Sequence, residues 1–267
     1  MNEKEFFENI KSYKLIANKS LGQNFLVDPF VAKRIVSFLD IKDRDNILEI
    51  GAGLGSLSYF LAKSAGKAQL IDVDERMITA LNDQFKNASN IEIKRQNILK
   101  HNLNGFNKII GNLPYYITSG IIEKLLLDAK DAEIMVLMTQ KEVYPKLLSL
   151  NKSPLSLFLN YVAEISSPYE VNRNNFAPVP HVDSVVFTIK PNSNIKNPDN
   201  LRLYKTMKQL FLLRRKNILN NLANFVQNKE KAKEILGKMG VNTNKRPEEL
   251  PIEFYINLLK MLKEGVN

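Results

Sequence analysis

The sequence predicts an α/β fold in which a mostly parallel, doubly wound sheet is followed by a small all-α domain. Beyond Asn46, short apolar runs alternate with amphipathic segments, the pattern of parallel strands joined by helical crossovers. Residues 191–198 (PNSNIKNP) form a turn-rich linker, and the apolar residues after it recur at helical spacing. These observations divide the chain into residues 1–45, 46–190 and 199–267.

Residues 1–45 are predicted to be a helical N-terminal extension. Asp28 followed by Pro29 is a typical helix start, because the carboxylate can cap the helix and proline fits its first position. The opening MNEKEFFENIKSYK lacks the apolar stretch of a secretory signal, and no apolar run in the chain approaches the ~20 residues that span a bilayer. We therefore expect a cytoplasmic protein without a membrane partner.

Residues 46–190 alternate between the two kinds of element. The predicted strands are Ile47–Ile50, Ala68–Val73, Ile91–Lys94, Lys108–Ile110 and Ile134–Met138. The predicted helices between and after them are Leu57–Lys63, Arg76–Phe85, Ser119–Leu127 and Lys141–Leu150. Leu155–Val171 is predicted as a helix followed by a strand, and Val182–Ile189 as the last strand of the sheet.

The positive charge is concentrated near the C-terminus. The net charge is +10, and residues 191–267 hold 15 Lys and Arg against 7 Asp and Glu, whereas residues 1–190 hold 23 against 21. A basic helical module beside a nearly neutral domain indicates a polyanionic partner, most simply nucleic acid. Lys outnumbers Arg 29 to 9, so an AT-rich coding bias is the alternative explanation of this charge.

The composition limits the chemistry. The chain has no cysteine, which excludes disulfides and thiolate metal sites, and its two histidines, His101 and His181, are far apart in the sequence. A histidine-based zinc site and a Ser-His-Asp triad are therefore poorly supported, and we expect no metal. We also expect the protein to be a monomer.

A glycine-rich turn follows the first predicted strand of the sheet. Glu49-x-Gly51-x-Gly53-x-Gly55 lets the backbone approach a ligand closely. Asp72 lies 21 residues beyond Gly51, at the end of the next strand, where a carboxylate can accept both hydroxyls of a ribose. The spacing differs from the G-x-G-x-x-G pattern of NAD enzymes, and it favours S-adenosylmethionine as the cofactor.

The fourth predicted strand ends in a second motif, Asn112-Leu113-Pro114-Tyr115. The amine on C6 of adenine is a poor nucleophile because its lone pair is delocalised into the ring. The side-chain carbonyl of Asn112 and the backbone carbonyl of Leu113 could hold the two hydrogens of such an amine. Pro114 would fix the turn, and Tyr115 offers a ring on which an extruded base can stack.

Over nearly its whole length the chain resembles the ribosomal RNA adenine dimethyltransferases, specifically the small-subunit enzymes associated with kasugamycin sensitivity. The resemblance is carried by LGQNFL (Leu21–Leu26), EIGAGLG (Glu49–Gly55), NLPY (Asn112–Tyr115), QKEV (Gln140–Val143), FAPVPHVDS (Phe176–Ser184), and Phe211 with RRK (Arg214–Lys216). It implies a Rossmann-like class I methyltransferase domain that uses S-adenosylmethionine. The expected reaction is dimethylation of the N6 amines of two adjacent adenines in small-subunit ribosomal RNA during ribosome biogenesis.

The resemblance also implies roles for residues on the cofactor side. Asn24 and Leu26 would form a lid over the methionine end of the cofactor, and the glycines Gly51 and Gly53 would lie against it. Asp72 would bind the ribose.

On the substrate side, the resemblance places Asn112 at the target amine, where it would also border the cofactor. Phe176 would face the flipped adenine opposite Tyr115. The basic run Arg214, Arg215 and Lys216 would bind RNA of the small subunit or of its precursor particle.

Three positions depart from the family pattern. Asn97 stands where the family usually has an Asp that accepts from the adenine amine of the cofactor, and an amide oxygen can accept the same bond without the charge. Tyr116 replaces a common Asn, and Gly120 replaces a frequent Pro. The last two alter the wall beside the target pocket.

Three other functions remain open from the sequence. A large-subunit ribosomal RNA methyltransferase of the macrolide-resistance type shares the glycine loop and the Asn-x-Pro-Tyr turn. A ribosome-assembly factor could keep the fold without activity, although the intact Asn112 argues against it. An NAD-dependent oxidoreductase fits the glycine spacing poorly.

Overall fold

The computed structural model describes residues 2–12, 23–64, 66–149, 153–166, 169–213 and 215–264. The chain divides into two compact units, Met1–Tyr144 with Glu164–Pro191, and Pro145–Ala163 with Asn192–Asn267. Three residues of the predicted motifs, Leu21, Gly22 and Arg214, lie outside the described ranges.

The chain has one large sheet and one small one. The strands are β1 (Phe25–Leu26), β2 (Asn46–Ile50), β3 (Lys67–Asp72), β4 (Ile91–Arg95), β5 (Lys108–Asn112), β6 (Ile134–Gln140), β7 (Ala163–Ile165), β8 (Tyr169–Val171), β9 (Phe176–Ala177) and β10 (Ser184–Pro191). Eight of them form a sheet of order β4-β3-β2-β5-β6-β10-β7, with β8 also paired to β10, while β1 pairs with β9. Strands β2 to β6 run parallel and β10 runs antiparallel to β6, so the mostly parallel sheet is confirmed.

Helices of the first unit connect these strands. They are α1 (Glu3–Ser12), α2 (Pro29–Ser37), α3 (Ser58–Leu61), α4 (Glu75–Gln84) and α5 (Thr118–Asp128), and α6 (Val143–Leu148) crosses the boundary between the units. The predicted start of α2 is confirmed, because Asp28 Oδ1 accepts the backbone N–H groups of Phe30 at 2.8 Å and Val31 at 3.1 Å.

The N-terminal segment is part of the first unit and not an extension of it. Phe6, Phe7 and Ile10 of α1 are buried in the same core cluster as Ile47 of β2. The ring centroids of Phe6 and Tyr59 lie 4.6 Å apart. Residues 1–45 contain the helices α1 and α2 and also the short strand β1, which the helical pattern did not predict. An aromatic helix face has to be buried, and no local pattern of residues 1–45 shows where.

The second unit is helical. It contains α7 (Pro154–Val162), α8 (Asn200–Leu210), α9 (Ile218–Val226), α10 (Lys229–Lys238) and α11 (Ile252–Glu264). The helix predicted after Leu155 is confirmed as α7, but it belongs to this unit and not to the sheet domain. The reason is packing, because the ring of Phe158 in α7 lies 5.1 Å from that of Tyr204 in α8.

The second unit carries the whole net charge. It holds 17 Lys and Arg against 7 Asp and Glu, whereas the first unit holds 21 of each. When Pro145–Ala163 are assigned to the second unit, the difference in net charge between the two units is larger than the difference between residues 1–190 and 191–267. In the ranges that the structure describes, no helix is both long and apolar enough to traverse a membrane.

Candidate active site

The two predicted motifs lie side by side at the carboxyl ends of adjacent strands. The strand order reverses between β2 and β5, and Ile50 at the end of β2 pairs with Gly111 at the end of β5. Ligands of open α/β sheets bind at such a switch point. The glycine loop after Ile50 and the motif that begins with Asn112 therefore border one cleft.

The glycine loop is folded against the end of β3. Gly53 has φ +55° and its N–H donates to Asp72 Oδ2 at 2.9 Å. Gly55 has φ +84°, and a Cβ there would lie 2.8 Å from the ring of Phe85. Both positions require glycine, because a side chain would be strained at this φ and crowded by its neighbour.

Asp72 is buried at the floor of the cleft. Oδ2 accepts from Gly53 and Oδ1 accepts the N–H of Asp74 at 2.9 Å. Each carboxylate oxygen keeps a second acceptor site for a ligand. Burial raises the pKa of Asp72, against backbone hydrogen bonds, among them those from Asp74 and Gly53, that lower it.

Glu49 lies beneath the loop and is the most strongly perturbed acid of the cleft. Ser58 donates its hydroxyl to Glu49 Oε2 at 2.6 Å. Burial and the nearby negative charge of Asp72 raise the pKa of Glu49 to about 8, although the Ser58 bond opposes the shift. Burial therefore favours the neutral form of the Glu49 carboxyl.

Residues 23–26 cross the cleft as a strap. Gln23 Nε2 donates to Asp74 Oδ2 at 2.9 Å, and Ser56 Oγ donates to the Leu26 carbonyl at 2.6 Å. Asn112 Nδ2 donates to the Asn24 carbonyl at 3.3 Å. The strap is thus hydrogen-bonded to the loop after β2, to the end of β5 and to the turn after β3.

The motif at the end of β5 is held from three sides. The Leu113 N–H donates to the Met138 carbonyl at 2.9 Å, and Thr118 Oγ1 donates to the Pro114 carbonyl at 3.1 Å. The Tyr115 hydroxyl lies 3.2 Å from Ser184 Oγ, and burial raises the pKa of Tyr115. The side-chain NH₂ of Asn112 donates to the Asn24 carbonyl, whereas its Oδ1 accepts no hydrogen bond from any described residue.

The cleft holds about 1120 Å³ of space, its open mouth included. It brings together all the sequence-predicted cofactor residues and four of the five catalytic candidates: Asn24, Leu26, Gly51, Gly53, Asp72, Asn97, Asn112, Leu113, Pro114 and Tyr115. No group of acidic and histidine side chains within the described ranges could hold a metal ion.

Asn97 borders the cleft in a fixed orientation. Its Oδ1 accepts the N–H of Leu99 at 2.9 Å and so caps the short helix that follows. This oxygen can still accept a second hydrogen bond. Asn97 therefore still offers an acceptor where the family usually has Asp, but the hydrogen bond from Leu99 fixes the orientation of this acceptor.

Comparison with known proteins agrees with this geometry. The chain matches the ribosomal RNA adenine dimethylase family over residues 15–264. The chain belongs to this family. It is an S-adenosylmethionine-dependent ribosomal RNA adenine dimethyltransferase by class, so the oxidoreductase hypothesis is set aside.

Similar proteins cover almost the whole chain. A relative from Mycoplasma mycoides subsp. mycoides SC is 36% identical over 92% of this chain and 97% of its own length. One from Levilactobacillus brevis is 33% identical over 93% and 91%. Both are named ribosomal RNA small subunit methyltransferase A.

Solved structures share the fold. A dimethyladenosine transferase from Plasmodium falciparum has a TM-score of 0.75 at 25% identity, covering 89% of this chain and 97% of its own. The 23S rRNA methyltransferase ErmE has a TM-score of 0.64 at 24% identity, covering 90% and 100%, and shows likeness of fold alone. The predicted Rossmann-like class I methyltransferase fold is confirmed.

In the structure of this dimethylase, Phe176 does not lie in the cleft, where the family resemblance predicts it. Its side chain is 2% exposed, it pairs with Leu26 between β9 and β1, and it does not line the cleft. The antiparallel pair turns this ring into the core. Its stacking role therefore stays a prediction.

The basic run predicted to bind RNA lies in the second unit of the dimethylase. Arg215 and Lys216 are exposed in the loop between α8 and α9, whereas Arg214 lies outside the described residues. The buried Asn221 holds this loop, because its Nδ2 donates to the carbonyls of Leu213, Lys216 and Asn217 at 3.1–3.3 Å.

Several groups that shape the dimethylase site were missed. Ser56 and Ser184 anchor the predicted residues Leu26 and Tyr115, and Gln23 anchors the strap to Asp74, each through a contact between distant parts of the chain. Gln23 and Ser184 lie within family motifs and Ser56 directly follows one, but nothing in the sequence indicated their partners.

Proposed function

We propose that this chain dimethylates the N6 amines of two adjacent adenines in small-subunit ribosomal RNA during ribosome biogenesis, with S-adenosylmethionine as methyl donor and as a monomer. The observation that carries the proposal is that Asn112 and the glycine loop, at the ends of the adjacent strands β5 and β2, line one cleft. The names of the relatives at 33–36% identity support the small subunit as the target.

The residues of the cleft fit this cofactor. The carboxylate of Asp72 keeps one acceptor site on each oxygen, as two ribose hydroxyls require. The backbone at Gly51 and Gly53 carries no Cβ, so a ligand can lie close to it. When bound, S-adenosylmethionine supplies an electrophilic methyl group on its sulfonium.

The residues after β5 would prepare the adenine. Asn112 Oδ1 and the Leu113 carbonyl accept the two hydrogens of the amine and favour a geometry with an exposed lone pair. Asn24 engages the amide NH₂ of Asn112, so the carbonyl half is left for the substrate. Catalysis would consist of positioning and electrostatics, and the proton can leave to solvent after transfer.

A flipped base loses its stacking on the neighbouring bases of the RNA, so it needs another surface on which to stack. The Tyr115 ring borders the cleft, and Ser184 anchors its hydroxyl, which limits the orientations of the ring. Stacking on such a ring is worth ~1–3 kcal/mol per base. Tyr115 would therefore hold the adenine where Asn112 meets its amine.

Transfer of labelled methyl groups tests the function. The chain is incubated with methyl-labelled S-adenosylmethionine and either small-subunit or large-subunit particles that lack the modification, and the RNA is digested to nucleosides. We expect dimethyladenine from the small-subunit RNA. Label in the large-subunit RNA would support the resistance-type alternative, and no label in either would support the assembly factor.

The exposed basic loop is proposed to supply RNA affinity. Replacing Arg214, Arg215 and Lys216 by Ala is expected to weaken RNA binding and leave cofactor binding unchanged. The slope of log K against log salt should become shallower by roughly 0.7–0.9 for each lost phosphate contact. Lys233→Ala with Lys238→Ala is the control, because both lysines are paired with glutamates within α10. An equal loss of affinity in the control would assign the effect to net charge alone.

A further inference from the structure

Tyr116 exposes an aromatic ring at the cleft. Its side chain is 62% exposed and lines the cleft next to Tyr115. Among the large apolar side chains of the described ranges, Phe30 and Tyr116 are the exposed aromatic ones, and Phe30 does not border the cleft. A single exposed ring needs no explanation in general, but this one stands beside the residues that would receive a base.

The backbone that carries Tyr116 is anchored. Tyr115–Ile117 form a short 3₁₀ turn in which the Ile117 N–H donates to the Pro114 carbonyl at 3.2 Å. Successive residues of such a turn project about 120° apart. The Tyr115 hydroxyl contacts the buried Ser184, so the neighbouring ring of Tyr116 is directed away from it and into solvent.

Arg173, which has no carboxylate partner among the described residues, lies at the same edge of the sheet. Ser184 pairs with Val171 of β8 and with Gln140 of β6, so the residues just beyond these positions share this edge. Arg173, two residues after Val171, is exposed and its guanidinium donates to the His181 carbonyl at 3.2 Å. Its backbone N–H donates to Asp183 Oδ1 at 2.9 Å.

The neighbouring cation is already neutralised. Lys141 follows Gln140 and pairs with Glu170 at 2.8 Å. Among the residues that the structure describes, no carboxylate lies within 4 Å of the Arg173 guanidinium. Arg173 is therefore the better placed of the two to bind an anion.

We propose that Tyr116 and Arg173 form a binding subsite for the RNA strand next to the target adenine, with Tyr116 stacking on the adjacent base and Arg173 binding a phosphate of the same strand. This inference rests on the proposed function. Extruding one base from an RNA strand uncovers a face of its neighbour, and an aromatic ring can cover that face. A guanidinium binds phosphate oxygens through paired hydrogen bonds.

The test combines variants of the protein with an altered RNA. Small-subunit particles are reconstituted with intact RNA, or with RNA that has an abasic residue on the 5′ or the 3′ side of the target adenine. With intact RNA, Tyr116→Ala is expected to raise KM about tenfold to 100-fold, as loss of one stacked base predicts. Because this is ground-state binding, kcat should stay within about threefold.

The abasic RNA separates stacking from a structural role. On one of the two abasic substrates, Tyr116→Ala should raise KM no further, whereas a damaged fold would add its effect on every substrate. Tyr116→Phe should behave as the wild type. Arg173→Ala should raise KM on all substrates and make the salt slope shallower by about 0.7.

Two control variants match these changes. Phe30→Ala removes an exposed ring on α2, and Lys67→Ala removes an exposed cation at the opposite end of β3, and both should leave KM unchanged. An unchanged KM for Tyr116→Ala, or a fall in kcat alone, would overturn the subsite. If the wild type transfers no methyl group, the proposed function fails, and RNA binding by the same variants still decides the subsite.

Discussion

Asn112→Ala is expected to lower kcat for methyl transfer by about 10²–10³-fold, the size of effect seen when one group that stabilises a transition state is removed. The variant loses the side-chain carbonyl that would hold the target amine. It also loses the donor to the Asn24 carbonyl, at 3.3 Å, which links the strap to the end of β5. The measurement is methyl transfer into small-subunit particles under single-turnover conditions.

Binding measurements separate chemistry from assembly. Particle affinity of Asn112→Ala should change far less than kcat, because phosphate contacts elsewhere supply most of the binding energy. Asn112→Asp keeps an acceptor but turns a carboxylate oxygen towards the Asn24 carbonyl, so it should also be impaired. Asn104→Ala, an exposed amide in the loop after β4, is the matched control. A wild-type rate for Asn112→Ala would refute the proposed catalytic centre.

The sheet and the two motifs of the cleft could be predicted because their signals are local. Each parallel strand is a short apolar run between amphipathic helices, and burial on both faces demands that composition. The glycine loop is equally local, since the positive φ of Gly53 and Gly55 favours glycine over residues that carry a side chain. The position of Asp72 could be predicted from its distance in sequence to Gly51, because one helical crossover separates the carboxyl ends of the adjacent parallel strands β2 and β3.

The N-terminal strap and the domain boundary could not be predicted because they depend on distant contacts. Gln23 bonds to Asp74, 51 residues away, and Leu26 pairs with Phe176, which turns that ring into the core. The same holds for α7, whose apolar face would suit either unit and whose place is decided by packing on α8. Amphipathic pattern shows that a face is buried, and it does not show against what.

A second large effect is expected in the pH dependence of stability. Burial raises the pKa of Glu49 from its ordinary value of 4.5 to about 8, with Asp72 adding to the shift. Between these two values the native protein keeps a proton that the unfolded chain releases, so the free energy of unfolding should fall as pH rises. A shift of this size corresponds to several kcal/mol, at about 1.4 kcal/mol for each pH unit.

Glu49→Gln isolates this contribution. The amide keeps the shape of the side chain and an acceptor for the Ser58 hydroxyl, but it does not titrate. Urea unfolding of the ligand-free protein between about pH 5 and pH 8 should show a steep loss of stability in the wild type and a shallower one in the variant. Burial also raises the pKa of Asp72, which contributes in the same direction and remains in both proteins, so their difference reports Glu49.

A control variant and the direction of the change in stability with pH test the role of Glu49. Glu133→Gln changes an exposed glutamate and should leave the pH dependence as it is in the wild type. The gain in stability of Glu49→Gln over the wild type should grow as pH rises towards about 8. As pH rises, it costs more free energy to keep the buried carboxyl of the wild type protonated, whereas the amide of the variant does not titrate. Parallel curves for the two proteins would mean that Glu49 is already ionised beneath the glycine loop at pH 5, and that the cleft presents a negative charge there instead of a neutral acid.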